Sequence, residues 1–240
     1  MYSKFFACLS GCLLLISQFA FATPLTLLSE DFENGLPSAA VIASPYDGAW
    51  VNVRRHDDAI DGSGIVRDEN FDDFFTEGHF LVLGDRFENL VGSNRGVSSL
   101  LLPFSVNVAL NAAVVSIHYD WVFDTNAVIE FVNSDDFRVT LVTADGEVIS
   151  TVHSVDQPVQ VPDAPTGTRG AYAVTLDAGV LAVPGDYGLK FTLTEHDGTY
   201  SSAVGLDNVS VVATVPEPGT ALLMGLGLLL VGLVAWRRRN

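Results

Sequence analysis

The fold of this chain is indicated most clearly by the stretch FRVTLVTADGEVISTV, residues 137–152. Its first half alternates apolar and polar residues, so that Phe137, Val139 and Leu141 share one face. The following Ala144-Asp145-Gly146 is a tight-turn signal, and a second β-prone run comes after it. The stretch therefore predicts a β-hairpin.

Strand-like runs of this kind recur along the chain between turn signals. No stretch of comparable length between them has the 3.6-residue apolar period of a helix. Many short alternating strands predict an all-β fold over residues 23–214, an antiparallel β-sandwich of the jelly-roll type. The eight predicted strands are Ala49–Arg54, Phe80–Gly84, Val114–Phe123, Phe137–Thr143, Glu147–Val152, Tyr172–Leu176, Gly188–Glu195 and Leu206–Ala213.

The charge of this central part limits its partners. The chain has 29 Asp and Glu residues and 12 Lys and Arg residues, of which one acidic and four basic residues lie in the end segments. Residues 23–214 therefore carry 28 acidic and eight basic residues, a net charge of −20. Such a polyanion repels phosphates, which argues against nucleic acid as a partner and favours cations or neutral ligands.

The N-terminus has the pattern of a secretory signal peptide. Lys4 precedes an apolar run, Phe5–Ile16, and Ala20-Phe21-Ala22 is a small-x-small pattern at which signal peptidase can cut. We therefore predict a signal peptide over residues 1–22, cleavage between Ala22 and Thr23, and export through the Sec translocon.

A second interpretation of the N-terminus stays open, because Leu9-Ser10-Gly11-Cys12 resembles the lipobox of bacterial lipoproteins. Cleavage there would leave an apolar run directly after the lipid, where lipoproteins usually have a polar tether. Cleavage after Ala22 would instead remove Cys8 and Cys12, the two cysteines of the chain. The mature protein would then have no disulfide and no thiolate metal site.

The last 26 residues, VPEPGTALLMGLGLLLVGLVAWRRRN over residues 215–240, differ sharply from the acidic centre. Ala221–Trp236 is 16 residues without a charge, and Gly219 and Thr220 extend it towards the roughly 20 residues that a bilayer core needs. Arg237, Arg238 and Arg239 would stay in the cytoplasm by the positive-inside rule. We therefore predict a transmembrane helix that leaves everything upstream outside the inner membrane.

The order of these features resembles the PEP-CTERM sorting signal of Gram-negative bacteria that make exopolysaccharide. Pro216, Glu217 and Pro218 fill its three motif positions ahead of the apolar segment and the arginines. In that family an exosortase, a membrane transpeptidase, is inferred to recognise the motif and to release or re-anchor the protein. The resemblance therefore implies an exosortase as partner and a location at the cell surface or in the extracellular matrix, with anchoring by the C-terminal helix before processing.

Two stretches near the ends of the central domain resemble the first and last strands of jelly-roll carbohydrate-binding modules. They are Glu30-Asp31-Phe32-Glu33-Asn34-Gly35 and Gly205-Leu206-Asp207-Asn208-Val209-Ser210-Val211. Such modules often hold a structural calcium ion between these strands, which implies a Ca²⁺ site formed by Asp31 or Glu33 with Asp207. Calcium takes six to eight oxygen ligands, so carbonyls and water would complete the site. The alternative is that Asp31 and Glu33 are solvated and that Asp207 caps a turn.

A candidate sugar-binding surface lies on the strand that begins at Ala49. Alternation places Trp50, Asn52 and Arg54 on one face and the intervening valines on the other. An aromatic ring beside amide and charged groups suits a pyranose, which has an apolar face and hydroxyl edges. The alternative is that Trp50 is a core residue.

The stretch His118–Asp124 is predicted to have one aromatic face and one polar face. Tyr119, Trp121 and Phe123 share one face, which we interpret as core. The polar face, which includes Asp120, could contact a ligand or pair with Arg138 and Lys190 on neighbouring strands. The acidic region from Arg54 to Glu77 matches no EF-hand spacing and is predicted to be a solvated surface loop.

No residue pattern indicates catalysis. The histidines are scattered, and the chain has neither the H-E-x-x-H pattern of zinc proteases nor the G-x-S-x-G elbow of hydrolases. The leading hypothesis is a non-enzymatic, structural or adhesive protein associated with exopolysaccharide. A carbohydrate-binding module and a glycan-cleaving hydrolase are the alternatives.

Overall fold

The computed structural model describes residues 23–43, 49–55, 71–85, 96–111, 113–125, 135–156, 168–177, 179–196, 202–215, 227–229, 232 and 236–237. All eight predicted strands are present, and three strands were not predicted: the first, second and fifth. The described residues form 11 strands: β1 (Thr23–Glu30), β2 (Val41–Ala43), β3 (Ala49–Arg55), β4 (His79–Asp85), β5 (Gly96–Val106), β6 (Val114–Thr125), β7 (Asp136–Thr143), β8 (Val148–Asp156), β9 (Thr168–Leu176), β10 (Gly185–Glu195) and β11 (Ser202–Val215).

The strands form two antiparallel sheets, which confirms the predicted β-sandwich. Sheet A has the order β3-β4-β11-β6-β9, and β1 also pairs with β11. Sheet B has the order β2-β5-β10-β7-β8. The body of the sandwich lies in a compact unit, Thr26–Ala213. The two chain ends, Met1–Leu25 and Thr214–Asn240, form a separate unit.

The hairpin predicted from residues 137–152 is formed by β7 and β8. The backbone N–H of Thr143 donates to the carbonyl of Glu147, and the N–H of Gly146 donates to the carbonyl of Thr143, both at 2.9 Å. The residues on its predicted apolar face, Phe137, Val139 and Leu141, are fully buried. The alternation in the sequence therefore identified the face that packs inward, and Ala144-Asp145-Gly146 identified the turn.

The core between the sheets is aromatic at its centre. Tyr119 of β6 packs edge-on against Phe191 of β10, with 5.5 Å between ring centroids. Trp121 and Phe123 both pack against Phe137 of β7, at 6.1 and 6.4 Å. The interpretation of this face of β6 as core is confirmed, since aromatic rings at such separations bury large areas and attract one another.

A second, smaller core covers the outer face of sheet A. We call residues 71–78 the strap, because its rings lie over β4, β6 and β11. Phe71 and Phe75 are buried against Phe80, Val82 and other strand residues, and Phe75 stacks on Phe80 at 4.7 Å. The prediction of a solvated loop is therefore wrong for residues 71–75, because these phenylalanines bury apolar surface that the sheet would otherwise expose. Residues 56–70 of that predicted loop lie outside the described residues.

The predicted sorting tail is described only in part. Residues 227–229, 232 and 236–237 are helical and lie inside or beside the predicted apolar helix. No helix within the described part of the chain has the length and apolarity that a membrane crossing requires. Residues 1–22 and the motif residues Pro216, Glu217 and Pro218 lie outside the described residues, as do Arg238 and Arg239.

Candidate functional site

A β-bulge in β11 shapes the candidate site. Val204 and Leu206 face the interior before it, and Val209 and Val211 face the interior after it. The step of three residues between Leu206 and Val209 means that Asp207 and Asn208 include one extra residue in the strand. Asn208 has a positive φ of 51°, a conformation that asparagine tolerates better than most residues. The bulge leaves the Asp207 side chain half-buried and the Asn208 side chain exposed.

The residues that follow β1 have a similar arrangement. Phe32 has a φ of 55° and is fully buried, while its neighbours Asp31 and Glu33 are exposed. A positive φ is unusual for a bulky side chain, and it persists where the surroundings hold it. The backbone N–H of Phe32 donates to Glu30 Oε1 at 2.9 Å, and that of Glu33 donates to Asp31 Oδ1 at 3.2 Å. Burial of the phenylalanine thus fixes two carboxylates at the surface.

The start of β4 holds Glu33 in place. The backbone N–H of His79 donates to Glu33 Oε1 at 2.7 Å, and His79 Nδ1 lies 3.0 Å from Glu33 Oε2. These hydrogen bonds with His79 lower the pKa of Glu33 below its ordinary value. Gly78 has a φ of 79°, which favours glycine, and a Cβ there would displace the Glu33 carboxylate from its position beside His79.

Four carboxylates come together around the bulge, and we call Asp31, Glu33, Asp120 and Asp207 the acidic site. The pKa of Asp207 is raised to about 6, chiefly by burial and also by repulsion from Asp120, Glu33 and Asp31, while the N–H of Asn208 acts in the opposite direction. The Asn208 amide also donates from Nδ2 to Asp120 Oδ2 at 2.8 Å. The predicted carboxylates Asp31 and Glu33 therefore both lie close enough to Asp207 to repel its charge.

Three members of the acidic site suit a cation better than the fourth. Asp31, Asp120 and Asp207 each use one oxygen in a hydrogen bond to a neighbouring N–H group. Both oxygens of Glu33 instead bind His79. Oxygen donors of this kind are what calcium prefers. Among the described residues, no group of three or more His, Cys, Asp or Glu side chains is arranged to hold a metal ion, so the calcium site stays a prediction.

Two of the predicted sugar-binding residues, Asn52 and Arg54, lie on the outer face of sheet A. Asn52 pairs with Val82 and Arg54 pairs with Phe80, and both of these β4 residues belong to the outer core. Trp50 pairs with Gly84 in the same register, and its side chain lies outside the described part. Asn52 is exposed and Arg54 is half-buried. Within the described sandwich no aromatic side chain is largely exposed, and the ligand role of these residues stays a prediction.

Sequence reasoning missed three residues at the acidic site: His79, Asp120 as one of its carboxylates, and Asn208. No sequence signal joins β4 or β6 to the bulge, because only the pairing of distant strands brings them together. The suggested partners of the Asp120 face, Arg138 and Lys190, were wrong. They lie on β7 and β10 of sheet B, whereas β6 lies between β11 and β9 of sheet A.

Comparison with known protein families identifies the C-terminal segment. Residues 214–239 match the PEP-CTERM protein-sorting motif. The match covers Pro216, Glu217 and Pro218 as well as Arg237, Arg238 and Arg239, so the predicted sorting signal is confirmed. A chain with a PEP-CTERM tail is an exported protein, and an exosortase sorts it to the cell surface. No curated protein matches the chain.

Solved structures with a similar fold belong to proteins of several kinds. The K1 cleaved adhesin domain of Lys-gingipain from Porphyromonas gingivalis W83 is 16% identical, with a TM-score of 0.45 over 81% of this chain and 99% of that chain. An apo cyclase from Fischerella sp. is 12% identical, with a TM-score of 0.47 over 81% and 98% of the two chains. TmCBM61, solved with β-1,4-galactotriose, is 11% identical, with a TM-score of 0.40 over 76% and 93%.

Proposed function

We propose that the sandwich acts outside the cell as a non-catalytic structural or adhesive component associated with exopolysaccharide. The observation that carries this proposal is the PEP-CTERM motif at residues 214–239, because it gives the acidic domain an extracellular destination. A net charge of −20 over residues 23–214 keeps such a domain soluble and lets divalent cations bridge it to other anionic polymers.

The acidic site supports the second step of this proposal, which is that the domain binds calcium. Asp31 or Glu33 would join Asp207 as ligands, and Asp120 is a further donor on the same surface. A cation there would relieve the repulsion that raises the pKa of Asp207. Because Glu33 is bound to His79, we expect Asp31, Asp120 and Asp207 to contribute more than Glu33.

Thermal melting with added calcium or with chelator tests the site. A metal bound only by the folded state stabilises it by about 2.7 kcal/mol at a concentration 100 times its dissociation constant. We expect calcium to raise the melting temperature and Asp207→Asn to abolish that rise. Asp177→Asn removes an exposed charge elsewhere and should leave the rise intact. An identical melting curve with calcium and with chelator would exclude calcium binding.

Deletion of the gene tests the extracellular role. We expect cohesion of the cell matrix to fall while the chain length of the polysaccharide is unchanged. Complementation should succeed with the wild-type chain and with a control that carries Asp73→Asn, Asp145→Asn and Asp177→Asn, all exposed positions. It should fail with Asp31→Asn, Asp120→Asn and Asp207→Asn together. A change in polysaccharide chain length would contradict the structural role and favour a glycan-cleaving hydrolase.

A further inference from the structure

A half-buried histidine joins the two sheets at their edge strands. His153 lies on β8, the edge of sheet B, and pairs with Val139 of β7. Its imidazole stacks on the ring of Tyr172 from β9, the edge of sheet A, with 4.0 Å between centroids and 16° between planes. This stacked pair therefore packs one sheet edge directly against the other.

Aromatic groups from both sheets complete the surroundings of His153. Trp121 of β6 meets the imidazole edge-on at 4.9 Å, and Phe137 of β7 does so at 6.2 Å. The titratable groups that face it are the hydroxyls of Tyr119 and Tyr172. Within the described residues no carboxylate contacts the ring, so no anion is in place to stabilise a positive charge there.

The hydrogen bond to Tyr119 favours the neutral imidazole over the protonated one. Tyr119 is fully buried, and its hydroxyl lies 2.7 Å from His153 Nδ1. No other hydrogen-bond partner of this hydroxyl is described, so its hydrogen is satisfied by donation to Nδ1. Protonation of Nδ1 would turn the acceptor into a donor and leave the buried hydroxyl hydrogen without an acceptor, which is costly.

A second cross-sheet hydrogen bond depends on the same contact. The hydroxyl of Tyr172 donates to the carbonyl of Val152, the residue before His153. Stacking of the rings keeps Tyr172 in position for this bond. A change in the packing of His153 therefore affects the ring contact and the hydrogen bond that hold β9 against β8.

We propose that His153 is a proton-sensitive lock that holds β8 of sheet B against β9 of sheet A. The neutral imidazole keeps β8 packed against β9, and protonation of the imidazole loosens this contact. Burial lowers the pKa of His153 below its ordinary value of 6.5, in agreement with a site that disfavours the charged ring. Attraction between an imidazolium and the neighbouring ring faces offsets only part of that cost. The lock is therefore closed when the pH is above the ordinary histidine pKa of 6.5, and it opens as the pH falls below that value.

Hydrogen exchange on the purified exported protein tests the lock. Peptides from β8 and β9 are compared at about pH 7.5 and about pH 5, after correction for intrinsic exchange rates. We expect several-fold loss of protection in β8 and β9 at the lower pH, with little change in the central strands β5 and β10. A uniform change across both sheets, or none, would overturn the proposal.

Two variants separate the imidazole from other titrating groups. His153→Phe keeps a ring for packing and has no proton to gain, so its protection in β8 and β9 should no longer depend on pH. His196→Gln changes an exposed histidine beside Asp136 and should behave like the wild type. A pH-dependent loss that persists in His153→Phe would overturn the lock.

A measurement on the wild-type chain covers the case in which His153→Phe does not fold. An NMR titration reports the protonation of the His153 imidazole directly. The proposal requires a midpoint below the ordinary 6.5, together with chemical-shift changes in Tyr172 and Val152 at the same midpoint. A midpoint at or above the ordinary value would contradict it.

Discussion

Glu33 and His79 form a two-point contact that joins the end of β1 to the start of β4. The backbone N–H and the ring nitrogen of His79 bind the two oxygens of the Glu33 carboxylate, at 2.7 and 3.0 Å. The same contact sets the position of one carboxylate in the acidic site. It therefore links the stability of the strand junction to the ionisation of Glu33.

Glu33→Gln should lower the melting temperature at neutral pH. The amide can still accept from the His79 backbone, but it lacks the charge that strengthens both hydrogen bonds. The pKa of Glu33 is lowered from 4.5, so its stabilising effect is complete above that value and is lost as the pH falls through the folded value. Calorimetry from neutral to acid pH should show the wild type and the variant converging in acid.

Glu77→Gln is the matched control, because Glu77 is exposed on the same strap and its neutralisation breaks neither hydrogen bond. We expect it to melt like the wild type. A loss of stability as large as that of Glu33→Gln would show that general charge on the strap, and not the contact with His79, is responsible.

Asp207→Asn should raise the melting temperature at neutral pH in the presence of chelator. The variant keeps the oxygen that accepts from the Asn208 N–H, and it removes the charge that burial and neighbouring carboxylates disfavour. Because the folded pKa of Asp207 is about 6 and the ordinary value is 3.8, the folded state binds more protons between these values. Asp207 therefore makes the wild type more stable as the pH falls from 6 to 3.8, and the variant should lose this gain.

Melting curves at several pH values check the Asp207 prediction, with Asp177→Asn as the control for the loss of one exposed charge. A variant that is less stable than the wild type at neutral pH without metal would mean that the Asp207 charge is compensated by a contact other than those described.

Gly205→Ala should displace the strap from sheet A. A Cβ at Gly205 would lie 2.6 Å from Phe75 and 2.8 Å from Phe71, too close for either ring to remain in place. Overpacking of this kind costs about 1–3 kcal/mol. We expect a lower melting temperature and faster proteolysis at residues 71–78. Gly170→Ala, where a Cβ meets nothing within 4 Å, should have neither effect.

Processing should remove both ends of the chain. We expect the extracellular form to begin at Thr23 and to end near Pro216, Glu217 or Pro218, as measured by intact-mass spectrometry. β1 begins at Thr23 and β11 ends at Val215, so both cuts would leave every strand whole. Retention of Trp236 and the arginines in the extracellular form would contradict removal of the tail by an exosortase.

Much of the fold could be predicted because most strands show an alternation of apolar and polar residues. β5 was missed because its Ser98–Leu102 run does not alternate and because Pro103 argues against a strand. Pro103 is tolerated because β2 pairs with β5 only from Ser99 to Leu101, so that among the described strands only β10 pairs with β5 at Pro103. The three residues of β2 are too few to show a period.

Only those residues of the acidic site that lie in recognisable local stretches could be predicted. Asp31, Glu33 and Asp207 were found from stretches at the two ends of the domain. Asp120 and His79 contribute through strand pairing across the sheet, which a single sequence does not reveal. The strap was misread because its Asp72 and Asp73 suggested a solvated loop, whereas the adjacent phenylalanines decide its packing.

The position of β11 has a consequence for the order of events during export. The last strand of the sandwich lies in the middle of sheet A, between β4 and β6, and it is also the partner of β1. Strands made earlier cannot complete this sheet until residues up to Val215 have crossed the membrane, and such long-range pairing is slow. Sheet A of the translocating chain therefore stays incomplete, with unpaired strand edges that favour aggregation, until its final segment arrives. Since the sorting motif directly follows that segment, the last strand that sheet A needs and the exosortase signal cross the membrane together.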